Sequence, residues 1–554
     1  MKYKDLITKK FFEFQFRPRK GQMELVDRIL TEYIDNKKKH VILSASTGTG
    51  KSLIALIVSE CLSELKKVKS NKSYILAHTN TLLRQYDLSY SDTFNLIRVM
   101  GKNNYNCEIT KSTAECCVYS EKTREVFGHM CNKCEYFLMK KEMNVKHHFI
   151  TNYAYLFTMA NLCERALSRR LITIYDEAHL MNEQFVNHMK ITLTNKFFYD
   201  VMDIMTEIEY DNSEMRKTFH NAGRYLEKQR IEAEHIDGFL LIVMNNLKTL
   251  MSKILDRMDY TVKNPNYTKL KKFNGYYTKI SNVQSRIKDY FELGYRKVID
   301  IREDFMEISP IFIENVFKKI QFSDYYLFMS ATLDSEYLNE TMNIPKEEMV
   351  FIQAESYFPS ENKTVVMCNQ GHFNYNMMQT DSFHKNLNVM IESIINEHQD
   401  EKGVLLTTNF KLGNSITQHL KKYIKQNNLR FKIFNHVPNK PLAFLLGEFK
   451  ECTKPSLLIS PSLFEGIDLP DDDSRFQIFV KAPFYSLADT RIKYICHNFP
   501  EIYKKLAVYR MIQGSGRSVR SENDYCVNYY LDSFLMDLFF SKDNLWKNEF
   551  TVVQ

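Results

Sequence analysis

The sequence contains little glycine and little proline, and neither residue is concentrated in a linker. There are 16 glycines and 12 prolines in 554 residues, and no internal repeat or low-complexity tract divides the chain. No uninterrupted apolar run is long enough to cross a bilayer, and the opening MKYKDLITKKFFEFQF lacks the apolar block of a signal peptide. We therefore expect a soluble protein with no membrane partner, in the cytoplasm of a cell or viral host, or in the nucleus if the source is a eukaryote.

The rest of the composition is ordinary for a globular protein. Hydrophobic residues make up 44% and charged residues 26% of the chain, and the net charge is +8. A chain of 554 residues is too long for one core, so about three or four domains are expected. The mild positive charge is compatible with a polyanionic partner, and the abundance of Lys, Asn, Ile and Tyr is typical of an AT-rich genome such as that of a phage or virus.

Cysteine is sparse except in one region, where five of the 11 cysteines lie between Cys107 and Cys134. In a reducing compartment, clustered thiols more often hold a metal or do redox chemistry than form disulfides. An iron-sulfur cluster needs four thiolates that converge from separate parts of the chain. The pair Cys131 and Cys134 would serve a zinc site equally well, so the residues alone leave both metals open.

A phosphate-binding loop is the first strong motif. In KKHVILSASTGTGKSLIALIV, the apolar run before the loop is typical of a buried parallel strand, and the apolar residues after it recur at helical spacing. Strand, glycine-rich turn and helix form the required context, although Ala45 replaces the usual first glycine. Backbone amides of such a loop surround phosphates, the lysine reaches the terminal phosphates and the serine can ligate Mg²⁺. The residues assigned to nucleotide binding are Thr47, Gly48, Thr49, Gly50, Lys51 and Ser52.

A second ATPase element lies in LITIYDEAHL. Its apolar half predicts a strand, and Asp176 and Glu177 follow at the carboxyl end, where open α/β sheets place their chemistry. Asp176 is expected to hold Mg²⁺ directly or through water, and Glu177 to polarise the attacking water. The two elements together predict nucleotide hydrolysis without saying what the hydrolysis drives.

Further short motifs decide the class. They are RKGQMELVDRI, ILAHTNTLLRQY, TNYAYLF, FMSATLD, KGVLLTTNF, LFEGIDLP and QGSGRSVRSENDYCVNYYLD. In this order and spacing they resemble the superfamily-two DNA helicases of the XPD/DinG type, from Arg19 to Asp532. One departure is KAPFYSL, which has Pro483 and Phe484 where the family has Leu-Pro-Phe.

The resemblance implies an α/β fold with two RecA-like P-loop ATPase lobes, with an iron-sulfur insertion and a helical arch insertion in the first lobe. Lobe one is expected in residues 1–98, 149–186 and 322–358, the iron-sulfur domain in 99–148, the arch in 187–321 and lobe two in 359–554. The helical pattern of HIDGFLLIVMNNLKTLMSKILDRM agrees with the arch assignment.

The resemblance also assigns nucleotide contacts outside the phosphate loop. Those at the adenine-reading segment and in lobe two are Arg19, Gln22, Gly466, Asp468 and Gln513. An arginine delivered across the cleft stabilises charge on the transferring phosphoryl group. By the family pattern Arg520 is the expected finger and Arg517 its assistant. The two lie one turn apart, so both can point into the cleft if this segment is helical.

The family's iron-sulfur ligands map onto four thiols. They are Cys107, Cys117, Cys131 and Cys134, and Cys116 is the alternative to Cys117 because the two are adjacent. The flanking GKNNYNC and CNKCEYFLMKKEM look like the family's own, so a [4Fe-4S] cluster is favoured over zinc. Contacts to nucleic acid are assigned by the same resemblance to Thr79, Asn152, Tyr153, Thr408, Asn409 and Phe484.

These features predict a monomeric ATP-dependent DNA helicase that uses ATP, Mg²⁺ and a [4Fe-4S] cluster. The resemblance implies 5′→3′ translocation on single-stranded DNA and duplex unwinding in replication, repair or recombination. The expected partners are single strands, single/double-strand junctions, and single-strand-binding or repair proteins. An RNA-dependent DEAH-type ATPase is an alternative, which the cysteine-rich insertion disfavours. A non-unwinding scaffold is another, which the intact Lys51, Asp176 and Glu177 disfavour.

Overall fold

The computed structural model describes most of the chain. The described residues are 1–46, 48–107, 112–114, 134–143, 145–162, 167–227, 232–263, 267–356, 358–368, 370–464, 469–519, 521 and 523–553. Six of the residues assigned above lie outside these ranges, and what the sequence predicts for them stays a prediction. They are Thr47, Cys117, Cys131, Gly466, Asp468 and Arg520.

The first of two large sheets contains seven parallel strands. In spatial order they are Met349–Gln353, His40–Ser44, Ser323–Ser330, Arg170–Asp176, Ser73–Ala77, His148–Asn152 and Leu96–Arg98. Every residue of His40–Ser44 and Arg170–Asp176 is buried. Such continuous apolar runs suit a parallel sheet covered on both faces, which is why the sequence predicts these strands well.

The register of this sheet brings four motif segments to one edge. Ser44 lies opposite Ser330, and Met329 lies opposite Asp176. On the other side Ala77 pairs with Asn152. Because the strands are parallel, their carboxyl ends all point to the same edge, where ligands bind in open α/β sheets.

Helices cover both faces of the first sheet. They are Lys4–Glu13, Gln22–Ile34, Lys51–Leu65, Asn80–Tyr90, Tyr153–Leu162, Met181–Met189, Glu314–Lys319 and Ser335–Met342. The helix that follows the phosphate loop, Lys51–Leu65, is buried along nearly its whole length because it packs against the sheet and the first two helices. The phosphate loop is therefore held between two rigid elements.

Residues 99–148 contain only short elements in the part that the structure describes. Asn106–Cys107 pairs antiparallel with Ser112–Thr113, and Glu135–Glu142 forms a helix. The buried Arg170 fixes the end of this segment to the sheet: its guanidinium donates to the carbonyl oxygens of Met143 and His147, each at 2.7 Å. The segment thus returns to the sheet beside the strand that carries Asp176.

The region between Met189 and Glu314 is mainly helical. Its helices are Asn195–Glu207, Ser213–Glu227, Ile236–Lys263 and Tyr267–Leu293, and the two long ones pack against each other. It also contains an antiparallel sheet in the order Ile191–Thr194, Phe305–Pro310, Lys297–Arg302. The helical pattern of the sequence agrees with the helices, whereas the small sheet is not predicted.

One helix qualifies by length and composition as a candidate membrane span, although polar residues such as Asn245 and Lys248 interrupt its apolar run. Ile236–Met258 has 23 residues and a mean hydropathy of 1.2. Core helices of soluble proteins pass the same test, and this helix buries Leu240, Leu247 and Ile254 against its neighbours. Its apolar content is therefore accounted for by packing in part, and it does not by itself identify a membrane protein.

The second large sheet also has seven parallel strands. In spatial order they are Lys432–Asn435, Ser456–Ser460, Lys402–Leu406, Phe476–Phe479, Cys526–Tyr530, Lys363–Met367 and Thr551–Val553. Its helices are Asp381–Glu397, Phe410–Gln426, Leu442–Glu451, Thr490–Asn498, Pro500–Ser515 and Ser533–Phe539. We call the unit built on the first sheet lobe one and the unit built on this sheet lobe two.

Candidate nucleotide and nucleic-acid site

The phosphate loop is held in a compact conformation by two glycines and by hydrogen bonds from Lys51 to carbonyl oxygens of the loop itself. Gly48 and Gly50 have φ angles of +86° and +79°, a left-handed conformation that glycine adopts without strain. The Lys51 ammonium donates to the carbonyl oxygens of Ala45 at 2.9 Å and Ser46 at 3.4 Å. The loop therefore places a cation and the amino end of a 15-residue helix at one point, which is a site for an anion.

Two side chains from the segment before the loop, Arg19 and Gln22, donate hydrogen bonds to its backbone. The Gln22 side chain is buried and its amide nitrogen donates to the Thr49 carbonyl oxygen at 2.9 Å. The Arg19 guanidinium donates to the Gly48 carbonyl oxygen at 2.8 Å. These two residues, which the resemblance assigns to the adenine base, thus also hold the shape of the phosphate loop.

Two carboxylates lie at the carboxyl end of Arg170–Asp176. Asp176 is buried, and it accepts a hydrogen bond from the Tyr86 hydroxyl at 2.8 Å. Burial and the charge of Glu177 raise the pKa of Asp176 above its ordinary value, and Lys51 opposes them. Burial acts on Glu177 in the same direction, but the charges of Lys51 and His179 outweigh it and lower the pKa of that carboxyl.

Lobe two supplies the opposite wall. A cavity of about 600 Å³ separates the lobes and is lined by Lys51, Asp176 and Glu177 on one side and by Gln513 and Arg517 on the other. The helix Pro500–Ser515 carries Gln513 to this wall. It ends at Ser515, so Arg517 lies beyond it, and the argument that placed Arg517 and Arg520 one turn apart on a helical face does not hold.

A chain of hydrogen bonds joins the acidic strand end to lobe two. His179 Nδ1 lies 2.9 Å from the Ser330 hydroxyl. That hydroxyl accepts from the Thr332 backbone at 3.0 Å, and the Thr332 hydroxyl accepts from the Gln513 side-chain amide at 2.7 Å. The Ser330–Thr332 segment, which is part of the motif FMSATLD, therefore contacts both walls of the cleft.

Three of the residues assigned to nucleic acid are helix caps. The side chains of Thr79, Asn152 and Asn409 accept hydrogen bonds from the backbone amides of Leu82, Tyr155 and Leu412, at 3.2, 2.7 and 2.9 Å. Each cap stands between the carboxyl end of a parallel strand and the following helix. These positions expose helix amino ends, which suit phosphate groups.

The other three assigned positions are arranged differently. Thr408 is exposed beside Asn409. Phe484 is half-buried, and its ring stacks on Tyr503 at a centroid distance of 5.3 Å. Tyr153 is 1% exposed, and its hydroxyl donates to the Asp176 carbonyl oxygen at 2.8 Å. The Tyr153 side chain therefore contacts the strand that carries Asp176, and its assignment to a nucleic-acid contact stays a prediction.

Only two of the four assigned thiols lie in the described part of the chain. Cys107 is buried in a short strand, and Cys134 directly precedes the helix Glu135–Glu142. The rings of Tyr105 and Tyr136 pack at 5.5 Å, so the two segments that carry these cysteines lie side by side. Among described residues no group of three or more His, Cys, Asp or Glu side chains could hold a metal ion.

Several cleft residues were not predicted from the sequence. Tyr86 donates to Asp176, Tyr90 lines the cavity, and Lys363, Glu549 and Phe550 form part of its wall from lobe two. Tyr86 is the last residue of the motif ILAHTNTLLRQY but was not assigned a role, and the other four belong to no short motif that we identified. Only their position in the folded chain brings them to the cleft.

Comparisons with known proteins agree with this architecture. A family model for a helicase C-terminal domain matches residues 391–539, and one for the type III restriction enzyme res subunit matches residues 15–204. No curated protein matches the chain. An XPD helicase structure has 16% identity and a TM-score of 0.62, covering 97% of this chain and 99% of its own. An apo XPD structure has 16% identity and a TM-score of 0.58, covering 96% and 99%.

The fold, the cleft and the family matches define the class: an ATP-dependent nucleic-acid helicase of the P-loop type, for which ATP and Mg²⁺ are implied. Within this class the resemblance drawn from the sequence motifs is confirmed. The chain resembles the XPD/DinG-type superfamily-two helicases in its motifs, matches the model of a helicase C-terminal domain over residues 391–539, and has the fold of the XPD helicase structures.

Proposed function

We propose that the protein is a DNA helicase that moves along single-stranded DNA, in the 5′→3′ direction that the resemblance implies. The observation that carries the proposal is the composition of the cleft. Lys51, Asp176 and Glu177 face Gln513 and Arg517 across one cavity between two parallel sheets. Hydrolysis in such a cleft depends on how closely the lobes approach, so ATP turnover can drive stepwise movement on a strand.

The phosphates of ATP bind at the amino end of Lys51–Leu65. The Lys51 ammonium exchanges its bonds to the Ala45 and Ser46 carbonyl oxygens for terminal phosphate oxygens. Asp176 and Ser52 would hold Mg²⁺, which neutralises phosphate charge when bound. The donor set fits, because Asp176 is a buried carboxylate held in place by Tyr86 and because it faces the same cavity as Ser52.

The remaining cleft residues position water and stabilise charge for transfer of the terminal phosphoryl group of ATP. Glu177 has a lowered pKa despite its burial, so it is ionised at neutral pH and can orient a water molecule and accept its proton. Arg517, with Arg520, stabilises charge on the transferring phosphoryl group from the side of lobe two. Gln513 and the Ser330–Thr332 segment connect the two lobes by hydrogen bonds, so a change at the nucleotide in lobe one alters the position of lobe two.

Single-stranded DNA is proposed to cross the helix amino ends capped by Thr79, Asn152 and Asn409, with Thr408 and Phe484 near its path. Phosphate contacts release counterions, so binding should weaken steeply with salt. The helical region 187–321 is proposed as an arch around the strand. Its basic and aromatic helix Tyr267–Leu293 suits contacts to phosphates and bases.

The cysteine-rich segment is proposed to hold a [4Fe-4S] cluster. Cys107 and Cys134 lie in segments that pack together, and with Cys117 and Cys131 they would supply four thiolates. Iron and acid-labile sulfide, measured after anaerobic purification, should each be about four per chain. Zinc, or no metal, in a folded protein that hydrolyses ATP would contradict the cluster and remove the best support for 5′→3′ polarity.

The function is tested by ATP hydrolysis with single-stranded DNA or RNA, followed by unwinding of duplexes with a 5′ or a 3′ tail. We expect DNA to stimulate hydrolysis more than RNA, and 5′-tailed duplexes to be unwound. Lys51→Ala should lose stimulated hydrolysis by at least about 100-fold, as expected when transition-state charge stabilisation is lost. The exposed Lys69→Ala, in the loop after the helix Lys51–Leu65, is the control on the same background. Stronger stimulation by RNA would favour the RNA-dependent alternative, and a biological role that survives Lys51→Ala would favour the scaffold.

A further inference from the structure

The C-terminal tail, residues 541–553, is anchored in lobe two. Its last strand, Thr551–Val553, pairs in parallel with Lys363–Met367 at the edge of the second sheet. The Asn544 side chain donates to the Phe539 carbonyl oxygen at 2.8 Å, which fixes the start of the tail to the preceding helix. The tail therefore moves with lobe two.

Trp546 carries the tail across to lobe one. It is the only tryptophan of the chain and is 1% exposed. Its indole N–H donates to the Ser44 hydroxyl at 2.8 Å, and Ser44 is the last residue of the strand before the phosphate loop. Its ring meets Tyr509, on the helix Pro500–Ser515, edge to face at 5.7 Å. One side chain thus contacts both lobes next to the nucleotide cleft.

The Ser44 hydroxyl extends this contact. A hydroxyl has one donor hydrogen, and here it is directed to the Ala331 carbonyl oxygen at 3.3 Å while the oxygen accepts from Trp546. Ala331 belongs to the segment that couples the two walls of the cleft. A second contact lies alongside, where the Gln353 side chain donates to the Leu545 carbonyl oxygen at 3.2 Å.

The tail also forms part of the cleft wall. Glu549 and Phe550 line the cavity together with Lys363. Lys363 is 2% exposed, and its ammonium lies 3.1 Å from a Glu549 carboxylate oxygen. The tail therefore meets the cavity directly, through Glu549 and Phe550, and meets the phosphate-loop strand through Trp546.

We propose that the C-terminal tail is a coupling element of the nucleotide cleft, in which Trp546 is a positioning residue that holds the phosphate-loop strand against lobe two when the lobes are closed. This inference rests on the proposed function and deepens it. Separation of the lobes pulls Ser44 away from Tyr509, so Trp546 must lose one of its two contacts. The hydrogen bond thus favours the closed cleft, in which hydrolysis occurs.

The test compares Trp546→Phe, Ser44→Ala and the double variant. Each single change should lower the kcat of nucleic-acid-stimulated ATP hydrolysis by about 3- to 10-fold, the size expected for one hydrogen bond. The KM for ATP should change by less than about twofold, since the bond acts on closure and not on the nucleotide.

The double variant should be no slower than Ser44→Ala, because both changes remove the same bond. Leu545→Ala, whose side chain is 41% exposed, is the control and should match the wild type.

A second readout does not require hydrolysis. Trp546 is the sole tryptophan, so emission excited at wavelengths that tyrosine does not absorb reports on it alone. Ser44→Ala should shift that emission to the red and raise quenching by acrylamide. Unchanged emission in Ser44→Ala, or unchanged kcat in both single variants of an active enzyme, would overturn the inference. If the wild type hydrolyses no ATP with either polynucleotide, the proposed function fails, and the emission of Ser44→Ala alone then decides whether the tail is docked through this bond.

Discussion

At the scale of single residues, the phosphate loop shows where local sequence suffices. The positive φ angles of Gly48 and Gly50 follow from a pattern of eight residues, because the loop's shape is set by its own backbone. Tyr86 shows the opposite case. It is 90 residues from Asp176 in sequence, and only the folded sheet brings its hydroxyl to that carboxylate. The burial of the Tyr153 side chain was not predicted for the same reason, since its motif does not say which way the ring points.

Gly50→Ala should abolish tight nucleotide binding. A methyl group at this position would lie 2.5 Å from Gln22 Nε2, and the φ angle of +79° would be strained for alanine. The Gln22 side chain would have to move and release the Thr49 carbonyl oxygen, which distorts the loop. We expect affinity for a fluorescent ATP analogue to fall by at least about 10-fold, which corresponds to about 1.4 kcal/mol and lies within the roughly 1–3 kcal/mol that such strain costs.

Gly275→Ala is the matched control for that substitution. A methyl group there meets nothing within 4 Å, and the position lies inside the helix Tyr267–Leu293. Alanine in a helix interior is favoured over glycine by about 1 kcal/mol, so the midpoint of thermal unfolding should rise slightly with nucleotide affinity unchanged. Equal nucleotide affinity in the two variants would show that the loop tolerates a side chain at Gly50.

At the scale of elements, the strands of both large sheets were predictable wherever they are continuous apolar runs. The antiparallel pair Lys297–Arg302 and Phe305–Pro310 was missed, although two alternating segments separated by two residues are a hairpin signal. The helical face proposed for Arg517 failed because Pro500–Ser515 ends earlier than the sequence pattern suggests. Element boundaries depend on tertiary packing, which a single sequence does not contain.

A buried polar network joins one helix to two strands and should make stability depend on pH. Glu60 is 2% exposed and lies 2.8 Å from the Lys72 ammonium and from His148 Nε2, and Ser73 lies 2.7 Å from His148 Nδ1. Burial alone would raise the pKa of Glu60, but the bonds from His148 and Lys72 lower it to about 2. Burial lowers the pKa of His148, assisted by the charges of Lys72 and His147.

Both shifts have the same sign for stability. A lowered pKa means that the folded state binds the proton less readily than the unfolded state, so stability is lost as the pH falls. For His148 this loss begins below its ordinary pKa of 6.5, and for Glu60 below 4.5 and down to about 2. The free energy of unfolding by urea should therefore decrease steadily from pH 7 to pH 4.

Glu60→Gln isolates this contribution. On the order of 3 kcal/mol of stability at pH 7 should be lost, since the buried Lys72 ammonium loses its counter-charge. The variant should also show a flatter dependence of unfolding free energy on pH below about 4.5. The exposed Glu234→Gln should leave both quantities unchanged. An equally steep acid limb in Glu60→Gln would assign the pH dependence to other groups.

At the scale of the whole molecule, the two lobes are joined by buried polar contacts away from the cleft as well as by the hydrogen bonds that line it. The Arg491 guanidinium pairs with both carboxylate oxygens of Glu183 at 2.9 Å and donates to the Ile311 carbonyl oxygen at 3.0 Å. Glu183 lies on the helix that follows the acidic strand, and Arg491 lies in the first turn of the lobe-two helix Thr490–Asn498. Neither residue belongs to a recognised motif, so the sequence offered no means to predict the pair.

Glu183→Gln should loosen the lobes. Arg491 is 5% exposed, so it would keep its charge in a buried position without a counter-ion, and removal of one partner of a buried pair costs about 3 kcal/mol or more. We expect a lower urea midpoint and a larger radius of gyration by small-angle X-ray scattering.

The double variant Glu183→Met with Arg491→Met removes both charges and should recover most of the stability. Glu292→Gln, which breaks the exposed pair with Lys288, should change stability by less than about 0.5 kcal/mol. If Glu183→Gln matched that control, the lobes would be held together by the remaining contacts, chiefly those of Lys505 with Asp334 and of Trp546 with Ser44.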